Sequence, residues 1–246
     1  MKITRFAPSP TGNLHIGGVR TALFNFVFSK QAGGLFLIRI EDTDRERSKK
    51  EYEEDIISGL EWLGISADKT PIRQSERSDV YQKAAEKLID SGNAYWCDCS
   101  PEDLEAMREQ QMAAGKKPMY DGRSRDLGLE RSKNTVLRLA TPIDGETIVK
   151  DLIRGDITFK NSELDDLILL RSDGTPTYHF CNVVDDYDQG ITTVIRGEDH
   201  ISNTPRQIHI QKALGYKELE YAHLPLVLGE DKNCLLYTSP SPRDNT

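Results

Sequence analysis

Residues 2–40 leave few architectures open to this chain. Residues 2–7 alternate as a strand does, and residues 16–31 set Ile16, Val19, Leu23 and Val27 at helical spacing as the face expected to pack inward. Gly33-Gly34 closes that helix in the manner of a C-terminal glycine. Leu35–Ile40 is then an apolar run broken only by Arg39, the pattern of a strand buried on both faces. A strand, a crossover helix and a second strand at this spacing imply parallel pairing, so the fold class is α/β with a helix-covered parallel sheet.

The loop joining the first strand to the helix reads Ala7-Pro8-Ser9-Pro10-Thr11-Gly12-Asn13-Leu14-His15-Ile16-Gly17-Gly18. Pro8 and Pro10 stiffen it, while Gly12, Gly17 and Gly18 allow a ligand close to the backbone. The helix start offers unpaired amides and a partial positive charge, which suits a phosphate, and His15 can donate to a phosphate oxygen there. This is a nucleotide-binding loop in its chemistry.

The rhythm continues to about residue 93. Ser48 stands three residues before Glu51, a capping-box pattern opening a helix through Leu63. A short strand at 72–74 and a helix at 78–89 follow, closed by Ser91-Gly92-Asn93. From 94 to 190 the pattern changes to a helix at 101–114, a basic stretch, and strands near 157–160 and 167–171 among the turns Asp144-Gly145, Arg154-Gly155 and Asp173-Gly174. Cys181 falls in an apolar segment read as strand, and Asp185-Asp186-Tyr187-Asp188 reads as a solvated turn. The strand–helix rhythm returns with a strand at 191–195, a helix at 203–214 and a strand at 224–228. His209 and His223 fall in that helix and in a loop, without an evident partner. The expected division is 1–93 and 191–233 as two halves of one sheet domain, 94–190 as an inserted α+β module, and 234–246 as a tail foreign to the fold.

With 37% hydrophobic and 29% charged residues, the chain is globular rather than disordered. Its longest apolar runs, such as 35–38 and 167–170, fall far short of the roughly 18 residues a membrane span needs, and no signal peptide opens it. Four cysteines without an export signal fit a reducing cytoplasm and no disulfide framework. The formal charge of −8 argues against a non-specific nucleic-acid coat. One local basic stretch, Lys116, Lys117, Arg123, Arg125, Arg131, Lys133 and Arg138, reads on charge alone as a solvated face.

Open parallel sheets bind ligands beyond the carboxyl ends of their strands. Those positions hold Arg5, Ala7 and Ser9 after the first strand, Glu41 after the second, and Arg196 with Asp199 after a late one. Here a resemblance emerges. Arg5 to Gly12 followed by His15-Ile16-Gly17-Gly18 and Arg20-Thr21-Ala22-Leu23 resembles the class I signature region of bacterial glutamyl-tRNA synthetases. Arg39 to Asp44, Tyr178-His179-Phe180 with Asn182 to Asp186, and Ile195 to His200 match further family blocks, so the likeness spans residues 3–233. It implies a Rossmann-like sheet of the class I synthetase type, with 94–190 as the acceptor-stem-binding module. That assignment turns the basic stretch into an expected RNA contact.

The resemblance also implies roles. Glutamate would be recognised by Arg5, Ala7, Ser9, Glu41, Tyr178, Asn182 and Arg196. ATP, brought with Mg2+, would lie on Thr11, Gly12, His15 and Gly17 with Asp199 near its ribose or adenine, and His15, Gly17 and Gly18 would serve catalysis. Arg5, Arg196 and Glu41 leave one positive charge for a substrate of net charge −1, whereas glutamine would strand a guanidinium; which arginine takes the side-chain carboxylate stays open. The implied reaction is ATP-dependent ligation of L-glutamate to the 3′ end of tRNA(Glu) through a glutamyl-adenylate, by a cytoplasmic monomer. A glutamyl-Q tRNA(Asp) synthetase-like paralogue and a non-catalytic tRNA-binding paralogue are the competing readings.

Two departures stand out. Relatives with a zinc site carry paired cysteines and later Cys or His ligands; Cys97 and Cys99 fit the first half, but Ser124 and Asp126 occupy the second, so no zinc is expected. After Asn233 the family's lysine-rich second signature is replaced by Cys234 to Thr246, which reads as foreign sequence, and a chain ending there is expected to adenylate poorly or not at all.

Overall fold

A computed structural model describes residues 1–226 of the chain. The stretch 234–246 lies outside the described residues. The first unit runs β1 (Ile3–Phe6), α1 (Ile16–Gln31), β2 (Leu35–Ile40), α2 (Lys50–Trp62), β3 (Ile72–Arg73) and α3 (Ser78–Asp90). β1, β2 and β3 pair in parallel in that order. Gly33 takes a left-handed φ of 60°, turning the chain straight from α1 into β2. Gly34 then lies so close under the Lys2 carbonyl that a side chain would collide with that backbone.

The alternation in β2 explains its double burial. Phe36, Ile38 and Ile40 join Phe6, Ile56 and Leu60 on one face of the sheet, while Leu37 joins Val149, Val194, Ile208 and Tyr221 on the other. Arg39 shares the second face and is 0% exposed, a charge in a position that period-two patterning reserves for the core.

α1 packs differently from its expected face. Its buried residues are Ala22, Asn25 and Ser29, whereas Ile16, Leu23, Phe24 and Val27 are exposed. Close approach to the sheet explains the small residues, and Asn25 Nδ2 donates to the Ile195 carbonyl at 2.9 Å in place of an apolar contact. The expected Ser48 cap is also displaced. α2 begins one residue late, Lys49 sits at its N-cap, and the Ser48 amide donates to Asp44 O at 3.0 Å.

The middle of the chain holds β4 (Ala94–Cys97), α4 (Pro101–Ala113), β5 (Val136–Leu139), β6 (Glu146–Asp151), β7 (Gly155–Lys160), β8 (Ile168–Leu170) and α5 (Tyr178–Asp188). α4 carries a complete capping box, with the Asp103 amide donating to Ser100 Oγ at 3.1 Å and the Ser100 amide to Asp103 Oδ2 at 3.0 Å. β4, β5 and β8 form their own antiparallel sheet. β6 and β7 make a hairpin that instead pairs with β10 (Glu220–Leu224), which pairs in parallel with β9 (Thr193–Gly197). β10 shares only Leu224 with the strand expected at 224–228, of which residues 227 and 228 lie outside the described residues. α6 (Thr204–Leu214) covers this sheet.

The parallel β1–β2–β3 sheet and the mixed β7–β6–β10–β9 sheet meet edge to edge. Thr192 N donates to Ile3 O and Ile3 N to Thr192 Oγ1, each at 2.9 Å. Residues 178–188, read partly as an apolar strand and partly as a solvated turn, form one helix. Cys181 is accordingly a buried helical core residue, and burial pushes its thiol far up. Among the described residues, no helix is long and apolar enough to cross a membrane.

Candidate functional site

A cavity of about 330 Å³ opens where β1, β2, β9 and β10 end. Ten of the anticipated residues line it: Arg5, Ala7, His15, Gly17, Gly18, Glu41, Tyr178, Asn182, Arg196 and Asp199. Ser9, Thr11 and Gly12 are not among its lining residues, and Ser9 and Thr11 are exposed on the loop above. Gly12 has nothing within 4 Å of where a Cβ would stand, so the protein's own packing places no demand on it.

His15 is the N-cap of α1. Its Nδ1 accepts the Gly18 amide at 3.2 Å, which leaves the ring proton on Nε2, and burial lowers its pKa. The cap and the donor are thus the same ring: one nitrogen holds the helix start, the other carries a proton to offer.

The floor of the cavity is a buried ion-pair network centred on Arg39 and Asp186, which sequence reasoning missed. Arg5 Nε donates to Asp186 Oδ1 at 2.9 Å, and Arg39 Nη1 donates to the same oxygen at 2.6 Å. Arg39 Nη2 donates to Glu41 Oε1 at 3.1 Å and to Asn182 Oδ1 at 2.8 Å, while Asn182 Nδ2 donates to Glu41 Oε1 at 2.9 Å. Helical spacing makes this possible: Tyr178, Asn182 and Asp186 recur every four residues on one side of α5. Asp185 faces the neighbouring elements instead, accepting from Gln74, Arg77 and Tyr81 at 2.7–2.9 Å. The acidic run is therefore no solvated turn; Asp185 and Asp186 are 0% and 5% exposed. The available signal was Arg39, the one charge inside a strand buried on both faces.

The network changes the charge count without changing its total. Arg5, Arg39 and Arg196 face Glu41 and Asp186, all five buried, and Arg77 offsets Asp185, so one positive charge remains among the groups in direct ion-pair contact, the nearest further carboxylate, Asp151, standing behind the His223 ring. That charge sits on Arg196. Its Nε donates to His223 Nε2 at 3.1 Å and its Nη2 to Thr204 Oγ1 at 2.8 Å, but Nη1 has no partner among the described residues. Burial, with Arg5 nearby, lowers the Arg196 pKa, whereas burial pushes the Glu41 carboxyl up against the pull of Arg39 and Arg5. Each group is thus short of an opposite charge: Arg196 of an anion, Glu41 of further cationic support. Burial, helped by Glu41, holds the Tyr178 phenol up at about 12, so it stays neutral.

His209 and His223 acquire partners unseen in the sequence. His209 Nε2 meets Thr147 Oγ1 at 2.6 Å, and His223 Nδ1 meets Asp151 Oδ2 at 2.6 Å. Both rings are buried, and burial first of all holds each down to about 4, as it does His179. The folded values lie below the ordinary 6.5, so the unfolded chain binds more protons between about pH 6.5 and 4. Stability therefore falls as pH drops through that window, each fully buried ring contributing at most about 1.4 kcal/mol per pH unit. The lowered Asp186 and Asp151 act the same way at lower pH, and the raised Glu41 acts oppositely. Thermal melts are expected to show a lower Tm at pH 5 than at pH 7; an equal or higher value would contradict this assignment.

The cysteine pair meets hydroxyls rather than further soft ligands. Cys97 donates to Tyr120 Oη at 3.4 Å, and Cys99 Sγ lies 3.8 Å from Ser124 Oγ. Of the basic stretch, Arg123, Arg125 and Arg138 are engaged internally, by Asp121, by Asp166, and by the Tyr120 ring with the Asp166 carbonyl. Lys116, Lys117, Arg131 and Lys133 are exposed.

Comparison with known proteins accords with this geometry. Residues 2–236 match the family model for tRNA synthetases class I (E and Q), catalytic domain. A glutamate–tRNA ligase of Thermodesulfovibrio yellowstonii is 56% identical over 228 residues, which is 93% of this chain and 49% of that protein. Another, from Nitrosospira multiformis, is 56% identical over 230 residues, covering 93% and 50%. Among solved structures, a glutamate tRNA ligase from Elizabethkingia meningosepticum in complex with its amino acid superposes with a TM-score of 0.86 at 38% identity, over 99% of this chain and 52% of that one. The chain thus spans about half the length of the curated relatives it matches. Sequence and fold agree along nearly its whole length, and the chain belongs to the class I tRNA synthetases of the E and Q kind, matching their catalytic domain.

Proposed function

We propose that the whole protein ligates L-glutamate to the 3′ end of tRNA(Glu) at the expense of ATP. The observation that carries this reading is the uncommitted Nη1 of buried Arg196, which faces the cavity without a carboxylate partner among the described residues. An amino acid of net charge −1 neutralises this guanidinium. In this reading the side-chain carboxylate takes Arg196 with the Tyr178 hydroxyl, and the ammonium takes Glu41. Arg5 is already paired with Asp186, so it supports the pocket more than it anchors the ligand. This separates the two arginines that sequence reasoning left equivalent.

The α-carboxylate of glutamate attacks the α-phosphorus of ATP; the bond to the bridging oxygen breaks and pyrophosphate leaves. The terminal tRNA hydroxyl then attacks the acyl carbon of the adenylate and AMP leaves. No protein nucleophile is required, so the residues act by positioning and electrostatics. His15 Nε2–H and the α1 N-terminus face the phosphates, and Asp199 takes the ribose. Mg2+ enters as the complex with ATP, since it keeps phosphate oxygens and waters as most of its ligands. The sheet of β4, β5 and β8 with α4 receives the acceptor stem, and exposed Lys116, Lys117, Arg131 and Lys133 are its phosphate contacts.

Amino-acid-dependent exchange of pyrophosphate into ATP by the whole protein, with tRNA(Glu) present, tests the reading. Glutamate is expected to support exchange at least ~100-fold better than glutamine, because the amide leaves Arg196 without a carboxylate. Equal rates, or exchange driven by another amino acid, would refute it.

A further inference from the structure

We propose that His223 and Asp151 form a buried relay that positions Arg196 and so sets the affinity for the substrate carboxylate. The proposal rests on the reading of Arg196 as the carboxylate anchor. The three residues come from three adjacent strands: Asp151 ends β6, His223 lies in β10, and Arg196 stands opposite His223 in β9. All three are buried, at 6%, 0% and 6% exposure.

The chain of bonds has only one polarity. Asp151 Oδ1 accepts the amides of Ile153 and Arg154, each at 2.9 Å, and Oδ2 accepts the His223 amide at 3.0 Å. This carboxylate is held by the turn of the β6–β7 hairpin and cannot swing. Being an acceptor only, it requires the proton of its 2.6 Å contact to sit on His223 Nδ1. The neutral ring is left with a bare lone pair on Nε2, which accepts Arg196 Nε–H at 3.1 Å. Thr204 Oγ1, itself 3.1 Å from His223 Nε2, accepts Nη2 at 2.8 Å, and the His200 carbonyl accepts the same nitrogen at 3.4 Å. Two nitrogens of the guanidinium are thus fixed, and only Nη1 remains for a ligand.

A protonated His223 would set N–H against N–H at Arg196. The groups facing the ring are Asp151 from β6, Arg196 from β9, His200 beyond β9, and the Tyr221 ring stacked at 6.2 Å on β10 itself. Burial and the Arg196 charge keep the ring neutral at physiological pH. The relay would therefore hold Arg196 in one orientation without neutralising it, which leaves its whole charge for the ligand. A carboxylate in direct contact with Arg196 would fix it equally well but would compete with the substrate.

A purely structural tie between the hairpin and β10 predicts a different mutational pattern from a positioning role. In His223→Asn the amide reaches the Nδ1 locus, so the Asp151 contact survives and the acceptor for Arg196 is lost. In His223→Gln the amide oxygen reaches the Nε2 locus, so the acceptor survives and the Asp151 contact is lost. Calorimetric titration of the protein with L-glutamate and, separately, with ATP reads the difference. His223→Asn is expected to weaken glutamate binding ~10- to 100-fold while ATP binding stays within about twofold. His223→Gln is expected to remain within about threefold of wild type for both. The reverse order, or equal losses for glutamate and ATP, would overturn the relay. Should His223→Asn melt below the assay temperature, Thr204→Val removes the opposite acceptor isosterically; a glutamate-selective loss of ~5- to 10-fold supports the proposal, and no loss overturns it. A wild-type protein that binds ATP but no glutamate would instead overturn the anchor assignment itself, and the relay with it.

Discussion

Arg196→Met is expected to raise the Kd for L-glutamate by about a hundred- to several-thousand-fold, with ATP affinity little changed. The buried carboxylate of the ligand would lose the buried guanidinium that faces it, and leaving one partner of a buried pair alone costs about 3–5 kcal/mol. The second half of the expectation guards against a trivial loss of structure. Wild type should favour glutamate over glutamine by about the same factor, whereas in Arg196→Met the two should bind within a few-fold of each other. Titration of both amino acids against both proteins measures this. A variant that still prefers glutamate strongly would move the anchor to Arg5, whose guanidinium would then have to leave Asp186.

Arg39→Met is expected to be the more damaging change for the fold. Arg39 is 0% exposed and serves Asp186, Glu41, Asn182 and Gln189 at once, at 2.6–3.1 Å. Its removal leaves Glu41 with Asn182 alone and Asp186 with Arg5 alone, in a setting where water cannot repair the loss. The expected cost is about 3–5 kcal/mol, or a Tm lower by roughly 10 °C for a protein of this size. Arg47→Ala, which removes an exposed, solvent-screened ion pair to Asp44, provides the contrast; its urea midpoint is expected to match wild type. Urea titrations of the three proteins decide the matter. Equal midpoints for Arg39→Met and wild type would mean that the buried network adds nothing to stability.

The two variants separate groups that the sequence presents alike. Arg39 and Arg196 are both charges in apolar strands, yet one lies within ion-pair distance of Glu41, Asp185 and Asp186 and the other faces no carboxylate directly. Nothing local distinguishes them, because the partners of Arg39 lie on α5 and those of Arg196 on β10 and at the start of α6. The same holds for histidine. His15 is legible as a helix start beside glycines, and it caps α1 as that position implies. His223 looked partnerless, because its carboxylate comes from a hairpin 72 residues earlier in the chain.

Secondary structure was most readable where one period ran unbroken. The bounds of β2 and α1 are those their patterns marked, and so within a residue are those of the helix following Ser100, whose cap is entirely local. Residues 178–188 misled because their charges looked solvated; ion pairs with β1, β2 and α3 bury them. The apolar stripe of α1 misled for the opposite reason. Close packing on the sheet selected the small face, and the larger residues stayed outside.

The order of residues alone determined the alternation of strands and helices, the Pro/Gly loop ahead of a capped helix, and the presence of charged groups at the strand ends. These are short-range properties, set by backbone geometry and by periods of two and 3.6. Tertiary structure alone decided which charge remains unmatched. Whether a buried arginine is satisfied depends on side chains brought together across three strands and two helices, and electrostatics in a dry interior depends on those neighbours rather than on spacing along the chain.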